Sequence, residues 1–227
     1  METVYNFING KQVPSRGTKA HPIYNPATGE QIRQVIMSTP DDVNEAIEVA
    51  HKAFADWSAT SPLRRARIMF KFKELLERDW DSLARLIVEE HGKVYSDACG
   101  ELTRGLEVVE FSCGIPHLLK GEFSEQAGRG IDIHSSLQPL GVTVGITPFN
   151  FPAMFPIALA CGNTFILKPA KADPSLSIRL AELLKEAGLP DGVFNVVHGD
   201  RHDNEVLLRD PRVHAVSFVG STPAAAH

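Results

Sequence analysis

No G-x-G-x-x-G string occurs anywhere in the sequence, so the glycine fingerprint that usually announces a dinucleotide fold is missing and such a site must be argued from other residues. Cysteine is scarce. Cys99, Cys113 and Cys161 form an odd set with no close pair, which argues against a disulfide scaffold or a cysteine-based zinc site and fits a reducing compartment. Cys161 follows the apolar run Ile157-Ala158-Leu159-Ala160, so it is expected to face the core, where a thiol is usually inert. The longest apolar stretch, Phe155 to Cys161, is far short of the roughly 20 residues a bilayer-spanning helix needs, and no membrane role is expected. Acids and bases are interleaved at a net charge of -5 with no basic stripe, which disfavours a nucleic-acid partner and leaves small molecules as better candidates. There is no internal repeat and no low-complexity tract. The opening Met1-Glu2-Thr3-Val4-Tyr5-Asn6 has neither a basic-then-apolar nor an Arg-rich pattern, so the expected location is the cytoplasm.

What is present suffices for a packed core, with 43% hydrophobic and 22% charged side chains over 227 residues. Short strand-like pieces, Val4 to Ile8 and Gln31 to Ile36, flank turn chemistry at Asn9-Gly10 and Asn25-Pro26-Ala27-Thr28-Gly29. Thr39-Pro40-Asp41-Asp42 is a helix start, because Thr39 can accept an amide hydrogen bond and two acids face the positive end of the dipole. Val43, Ile47, Ala50, Phe54 and Trp57 recur at helical spacing and predict a helix over Asp41 to Ser58. Pro62 opens a second helix that Gly92 should end, and a third is expected from Ser96 to about Leu119 despite Gly100, Gly105, Gly114 and Pro116.

From Leu140 the pattern changes. Val142–Thr147, Thr164–Leu167, Phe194–Val197 and Ala215–Val219 read as strands, alternating with helices over Pro152–Cys161, Ser175–Ala187 and His202–Leu208. Continuous apolar strands alternating with helices predict an α/β fold with a doubly wound parallel sheet, preceded by a strand-rich lead-in and a helical segment. The division falls near Gln138-Pro139: 1–139 for the amino-terminal strands, helices and the start of an oligomerisation arm, 140–227 for the sheet.

Such sheets bind ligands at the carboxyl ends of their strands. Three strand-to-loop corners carry polar groups there: Thr147-Pro148-Phe149-Asn150, Leu167-Lys168-Pro169-Ala170 and Phe218-Val219-Gly220-Ser221-Thr222. An amide at Asn150 can donate to a developing negative oxygen, Lys168 can reach ribose hydroxyls or phosphate, Gly220 allows close backbone approach, and Ser221 or Thr222 can help hold a phosphate at a helix start. Singly, each has a blander reading as a turn residue or solvated strand end. Together, at successive corners of one sheet, they weigh more. His198, His202 and Glu205 have metal-like spacing, but Gly199 interrupts the helical face such a pair needs, so no metal is expected.

The strings Gly145-Ile146-Thr147-Pro148-Phe149-Asn150-Phe151-Pro152 and Ala160-Cys161-Gly162-Asn163-Thr164-Phe165-Ile166-Leu167-Lys168-Pro169 resemble the aldehyde dehydrogenase superfamily. Phe149, Cys161-Gly162-Asn163 and the stretch Arg104-Gly105-Leu106-Glu107-Val108-Val109-Glu110-Phe111 are more like its methylmalonate-semialdehyde branch, the CoA-acylating dehydrogenases. The resemblance implies NAD-dependent oxidation of malonate or methylmalonate semialdehyde, with the acyl group passing through a cysteine thioester to CoA, in a homo-oligomer. It further implies that Thr147 and Phe149 line the nicotinamide side, Lys168 contacts the adenosine ribose, Ser221 sits at the pyrophosphate, Asn150 supplies the oxyanion donor and Arg104 binds the substrate carboxylate.

The sequence departs from that pattern at several points. The family's nucleophilic cysteine lies beyond the Gly-Ser-Thr corner, so the expectation is a chain without the catalytic domain and inactive by itself. About five residues fewer than usual separate the Asn-Phe-Pro and Cys-Gly-Asn strings, roughly 7 to 8 Å of helix, which predicts a loosened first crossover helix and weakened NAD binding. Lys171 stands where the superfamily usually has a glutamate that accepts from ribose hydroxyls; it could favour a ribose phosphate or be a plain surface lysine. The ending Ala224-Ala225-Ala226-His227 resembles a cloning remnant. Two other readings stay open: a non-catalytic nucleotide- or partner-binding module, and a non-acylating aldehyde dehydrogenase.

Overall fold

The computed structural model describes residues 2–150 and 153–226, without the side chains of 201–204 and 224. The lead-in holds β1 (Glu2–Val4), β2 (Asn6–Ile8), β3 (Lys11–Val13), β4 (Ala20–Tyr24) and β5 (Gln31–Ile36). The single strand expected over Val4 to Ile8 is two strands in different sheets: β1 pairs with β5, whereas β2 joins the large sheet. The division has a polar cause. Buried Asn6 accepts through its side-chain oxygen from Ser38 Oγ at 3.0 Å and from the His198 amide at 3.0 Å, and the Tyr5 carbonyl sits 3.0 Å from His198 Nε2. Buried polar groups need such partners, so the chain changes sheets where they are found.

Helix α1 (Pro40–Ala59) starts as expected, with a reciprocal capping box between Thr39 and Asp42. The expected second helix is broken into α2 (Pro62–Arg78) and α3 (Trp80–His91) at Asp79. There the carboxylate draws in Arg78 at 2.7 Å and Arg179 at 2.6 Å, and these cations hold it down to about 2. Gly92 ends α3 in the left-handed conformation, φ 79. The third helix is likewise divided, into α4 (Tyr95–Cys113) and α5 (Ile115–Leu118), at Gly114 with Pro116 in the first turn of the second piece. An exposed hairpin, β6 (Phe123–Gly128) and β7 (Ile131–His134), follows.

The remainder runs β8 (Val142–Ile146), α6 (Pro156–Ala160), β9 (Thr164–Lys168), α7 (Ser175–Glu186), β10 (Phe194–Val196), α8 (Arg201–Arg209), β11 (Val213–Phe218) and α9 (Thr222–Ala225). The six-stranded sheet has the order β11-β8-β9-β10-β2-β3, parallel from β11 to β10 and closed on one side by the antiparallel β2–β3 hairpin. This is the doubly wound parallel arrangement, with an antiparallel edge that periodicity alone does not announce. One face packs Val142, Val144, Ile146 and Ile166 against α1 and Leu207 of α8. The other packs Phe165, Leu167, Phe194 and Val196 against residues of α2, α6 and α7.

The first crossover helix expected over Pro152–Cys161 is confined to Pro156–Ala160, and Ala153 to Phe155 run without regular structure; Phe151 and Pro152 lie outside the described residues. Phe155 anchors this short segment. It is fully buried, with ring centroids 4.5 Å from Phe194, 6.1 Å from Phe72 and 6.2 Å from Phe165. Trp57 adds a hydrogen bond from Nε1 to the Leu159 carbonyl at 3.1 Å, and Arg65 Nε donates to the Ala160 carbonyl at 2.9 Å. Cys161 is half-buried against the same core, and burial raises its thiol above the ordinary value despite the nearby Arg65 charge. Phe155→Ala is expected to cost about 3 to 5 kcal/mol in urea unfolding; a loss below about 1 kcal/mol would show that the shortened crossover is not held by this ring.

Candidate functional site

Register decides where the polar corners meet. Phe218 lies opposite Ile146, Ile146 opposite Lys168, and Leu167 opposite Val196, so the carboxyl ends of β11, β8, β9 and β10 finish level. Pairing continues just past the strands: the Thr147 amide donates to the Lys168 carbonyl at 3.2 Å and the Val219 amide to the Ile146 carbonyl at 3.2 Å. Gly145 permits the close approach of β8 and β9 here, since a Cβ at that position would fall 2.5 Å from Cζ of Phe165.

Thr147 is buried at the end of β8, and its Oγ1 has no hydrogen-bond partner. Phe149 is 53% exposed and its ring leans on His91, with centroids 4.9 Å apart. Asn150 is half-buried in the turn after Phe149, and Lys168, also half-buried, is the last residue of β9. These four residues therefore come from two adjacent strand ends. Ser221 is exposed and caps α9 without a side-chain hydrogen bond, one strand further along on the β11 side. Arg104 is exposed on α4, with Nη1 3.4 Å from the Gly100 carbonyl. A Cβ on its neighbour Gly105 would lie 3.3 Å from Cβ of Ala153, so α4 abuts the loop that follows Asn150. Gly220 leaves room for a ring rather than a ligand: a Cβ there would stand 2.5 Å from Cζ of Phe218.

The model of the aldehyde dehydrogenase family matches residues 13–227. The chain belongs to the aldehyde dehydrogenase family. Among its relatives, a malonate-semialdehyde dehydrogenase from Pseudomonas aeruginosa is 50% identical over 230 residues, covering 99% of this chain and 46% of that protein. The solved methylmalonate-semialdehyde dehydrogenase from Oceanimonas doudoroffii superposes with a TM-score of 0.96 at 54% identity, covering 100% of this chain and 47% of that one. A second, described as a methylmalonate-semialdehyde dehydrogenase of Sinorhizobium meliloti complexed with NAD, gives a TM-score of 0.96 at 51% identity, covering 100% and 47%. The chain spans about half the length of the curated relatives it matches.

This aldehyde dehydrogenase chain also carries buried ionisable groups beside the strand ends that local sequence does not reveal. Asp173, in the loop after β9, is buried with Oδ2 unpartnered. It faces Glu90 at the end of α3 and Glu101 of α4, with Lys93 between the helices. Glu90 accepts from Ser175 at 2.5 and 3.0 Å and from Arg33 at 3.1 Å, and Lys93 pairs with Glu101 at 2.5 Å. Burial, then the charges of Glu90 and Glu101, push Asp173 up to about 8 against the pull of Lys93, and burial also raises Glu90. On the other side of β9, burial holds His198 down to about 4, helped by the charge of Lys168, so its ring is neutral. The side chain of His202, its possible metal partner by spacing, lies outside the described residues.

The sign of the Asp173 effect follows from linkage. Its native pKa, about 8, lies above the ordinary 3.8, so its contribution to stability is full below the unfolded value and is lost as pH rises through the native one. Asp173→Asn is expected to gain stability over the parent steadily between about pH 4 and pH 8, by several kcal/mol at the upper end in urea unfolding. Equal pH slopes for parent and variant would contradict a buried, protonated carboxyl.

Proposed function

We propose that this chain forms the dinucleotide-binding part of an NAD-dependent, CoA-acylating dehydrogenase of malonate or methylmalonate semialdehyde. The observation that carries the reading is the level row of strand ends, which brings Thr147, Phe149, Asn150 and Lys168 to adjacent corners of one parallel sheet. The residues present suit such a cofactor. A buried hydroxyl without a partner at Thr147, at the strand end next to that of Lys168, is a group that a polar ligand would satisfy. The relatives' names support the substrate class, and the NAD complex of the Sinorhizobium meliloti protein supports the cofactor.

When bound, the nicotinamide accepts the hydride removed from the substrate carbon. In this reading Thr147 and Phe149 line the nicotinamide side, Lys168 donates to the adenosine ribose, and Ser221 borders the pyrophosphate. Asn150 donates from its amide to the oxygen that becomes negative as the aldehyde is attacked. Arg104 offers its planar fork to the substrate carboxylate. Association of copies is supported by the β6–β7 hairpin. A two-stranded ribbon is marginal on its own, and this one exposes Phe123, Ile131 and Ile133 at 56%, 58% and 54%. No helix among the described residues is long and apolar enough to cross a membrane.

Calorimetric titration of the chain with NAD tests the reading. We expect saturable binding, weaker than that of the Sinorhizobium meliloti relative because α6 is so short. Lys168→Ala should weaken it by about tenfold with the circular dichroism spectrum unchanged, as loss of one charge-assisted hydrogen bond requires. Affinity unaltered by that substitution would remove Lys168 from the site.

A further inference from the structure

The core between the helices is not filled everywhere. Leu76 of α2, Leu83 of α3, Leu106 and Val109 of α4, Leu180 of α7 and the Phe155 ring wall a hollow. Its enclosed volume is about 30 Å³, and about 430 Å³ of empty space is present when the open mouth is counted. The enclosed part exceeds what one trapped water needs, but the walls are almost wholly apolar, and a hollow of that kind stays dry. Side chains facing an empty space forgo dispersion contacts on that side, so a ligand that restores them is stabilised there.

Two features of the chain leave the gap. Gly105 of α4 and Ala153 meet at the rim, and between them they offer no side chain longer than a methyl group. The segment from Ala153 to Phe155 carries no regular structure, because α6 begins only at Pro156. Leu102 and Ala153 are half-buried whereas Leu76, Leu83 and Leu180 are buried, so the mouth lies on the side of the first two.

One residue of the wall is charged. Glu101 of α4 is 5% exposed; its Oε2 accepts from Lys93 at 2.5 Å, and its Oε1 has no hydrogen-bond partner. A buried carboxyl oxygen left in that state costs stability, and a donor brought within reach relieves the cost.

We infer that this hollow is a binding site for a small neutral molecule with an apolar body and a single hydroxyl. The body fills the space among the leucines of α2, α3, α4 and α7, and the hydroxyl donates to Glu101 Oε1. An anionic ligand does not suit the site, since it has no proton to give and would lose its water beside an acid. A bare hydrocarbon suits the walls but leaves Oε1 unpaired. The site goes beyond the dinucleotide reading and uses none of the strand-end residues on which that reading rests.

Calorimetric titration of the chain with phenol, benzene and benzoate is the test, repeated for Leu106→Phe, which fills the hollow, with circular dichroism to confirm folding. Ala153→Leu, which narrows the mouth from a half-buried position, serves the same purpose should the first variant not fold. Phenol should bind saturably at one site per chain, about tenfold more tightly than benzene, and benzoate should not bind. Saturating phenol should raise the Tm by about 3 °C or more, and either variant should abolish both effects. Absence of saturable phenol binding to the folded, unaltered chain overturns the site. Phenol bound no more tightly than benzene overturns the part given to Glu101, and benzoate bound as tightly as phenol overturns the ligand class. Phenol binding undiminished in a folded variant overturns the location.

Discussion

The register of the parallel strands carries everything else. Because Phe218, Ile146 and Lys168 sit in one row, the loops after β11, β8 and β9 leave the sheet at the same height along one edge. A slip of a single residue would turn every side chain of a strand to the opposite face, placing Val144 and Ile166 where the Phe165 and Phe194 rings now pack. Burial on both faces forbids that slip. The sheet is therefore rigid where the corners begin, and functional groups can sit on loops without losing their mutual geometry.

Buried polar groups join the lead-in to this frame. Asn6 and Ser38 meet the His198 backbone, Arg33 meets Glu90, and Glu90 meets Ser175 at the start of α7. The amino-terminal strands and helices are thus bonded directly to the loops at the carboxyl edge, and the β2–β3 hairpin adds two strands to the sheet itself. This cross-bracing has an electrostatic consequence. By bringing the charges of Glu90 and Glu101 beside a buried Asp173, it pushes that carboxyl up to about 8.

Much of this was legible in the residues alone. The capping box at Thr39, the apolar runs from Val142 onward and the intervening helical stretches announce α1 and the β-α alternation, because period and cap chemistry are local signals. The strand-end positions of Thr147, Phe149, Asn150 and Lys168 were likewise visible as polar corners after apolar runs. What escaped depends on contacts distant in sequence. Helix breaks at Asp79 and Gly114 are set by Arg179 and by a helical turn restarted at Pro116. The split of β1 from β2 is set by the partners of Asn6. Asp173 reads as an ordinary Asp-Pro turn; only the approach of α3 and α4 buries it beside Glu90 and Glu101. His91 gives no local hint that it supports the Phe149 ring.

Hydrogen exchange read by mass spectrometry, with and without a saturating dinucleotide, addresses the shared crevice most directly. Protection is expected to rise together in the segments 147–150, 168–173 and 219–222, while the β6–β7 hairpin stays unchanged. Protection confined to one of those corners, or appearing only on a face remote from the carboxyl edge of the sheet, would contradict a single site built from level strand ends.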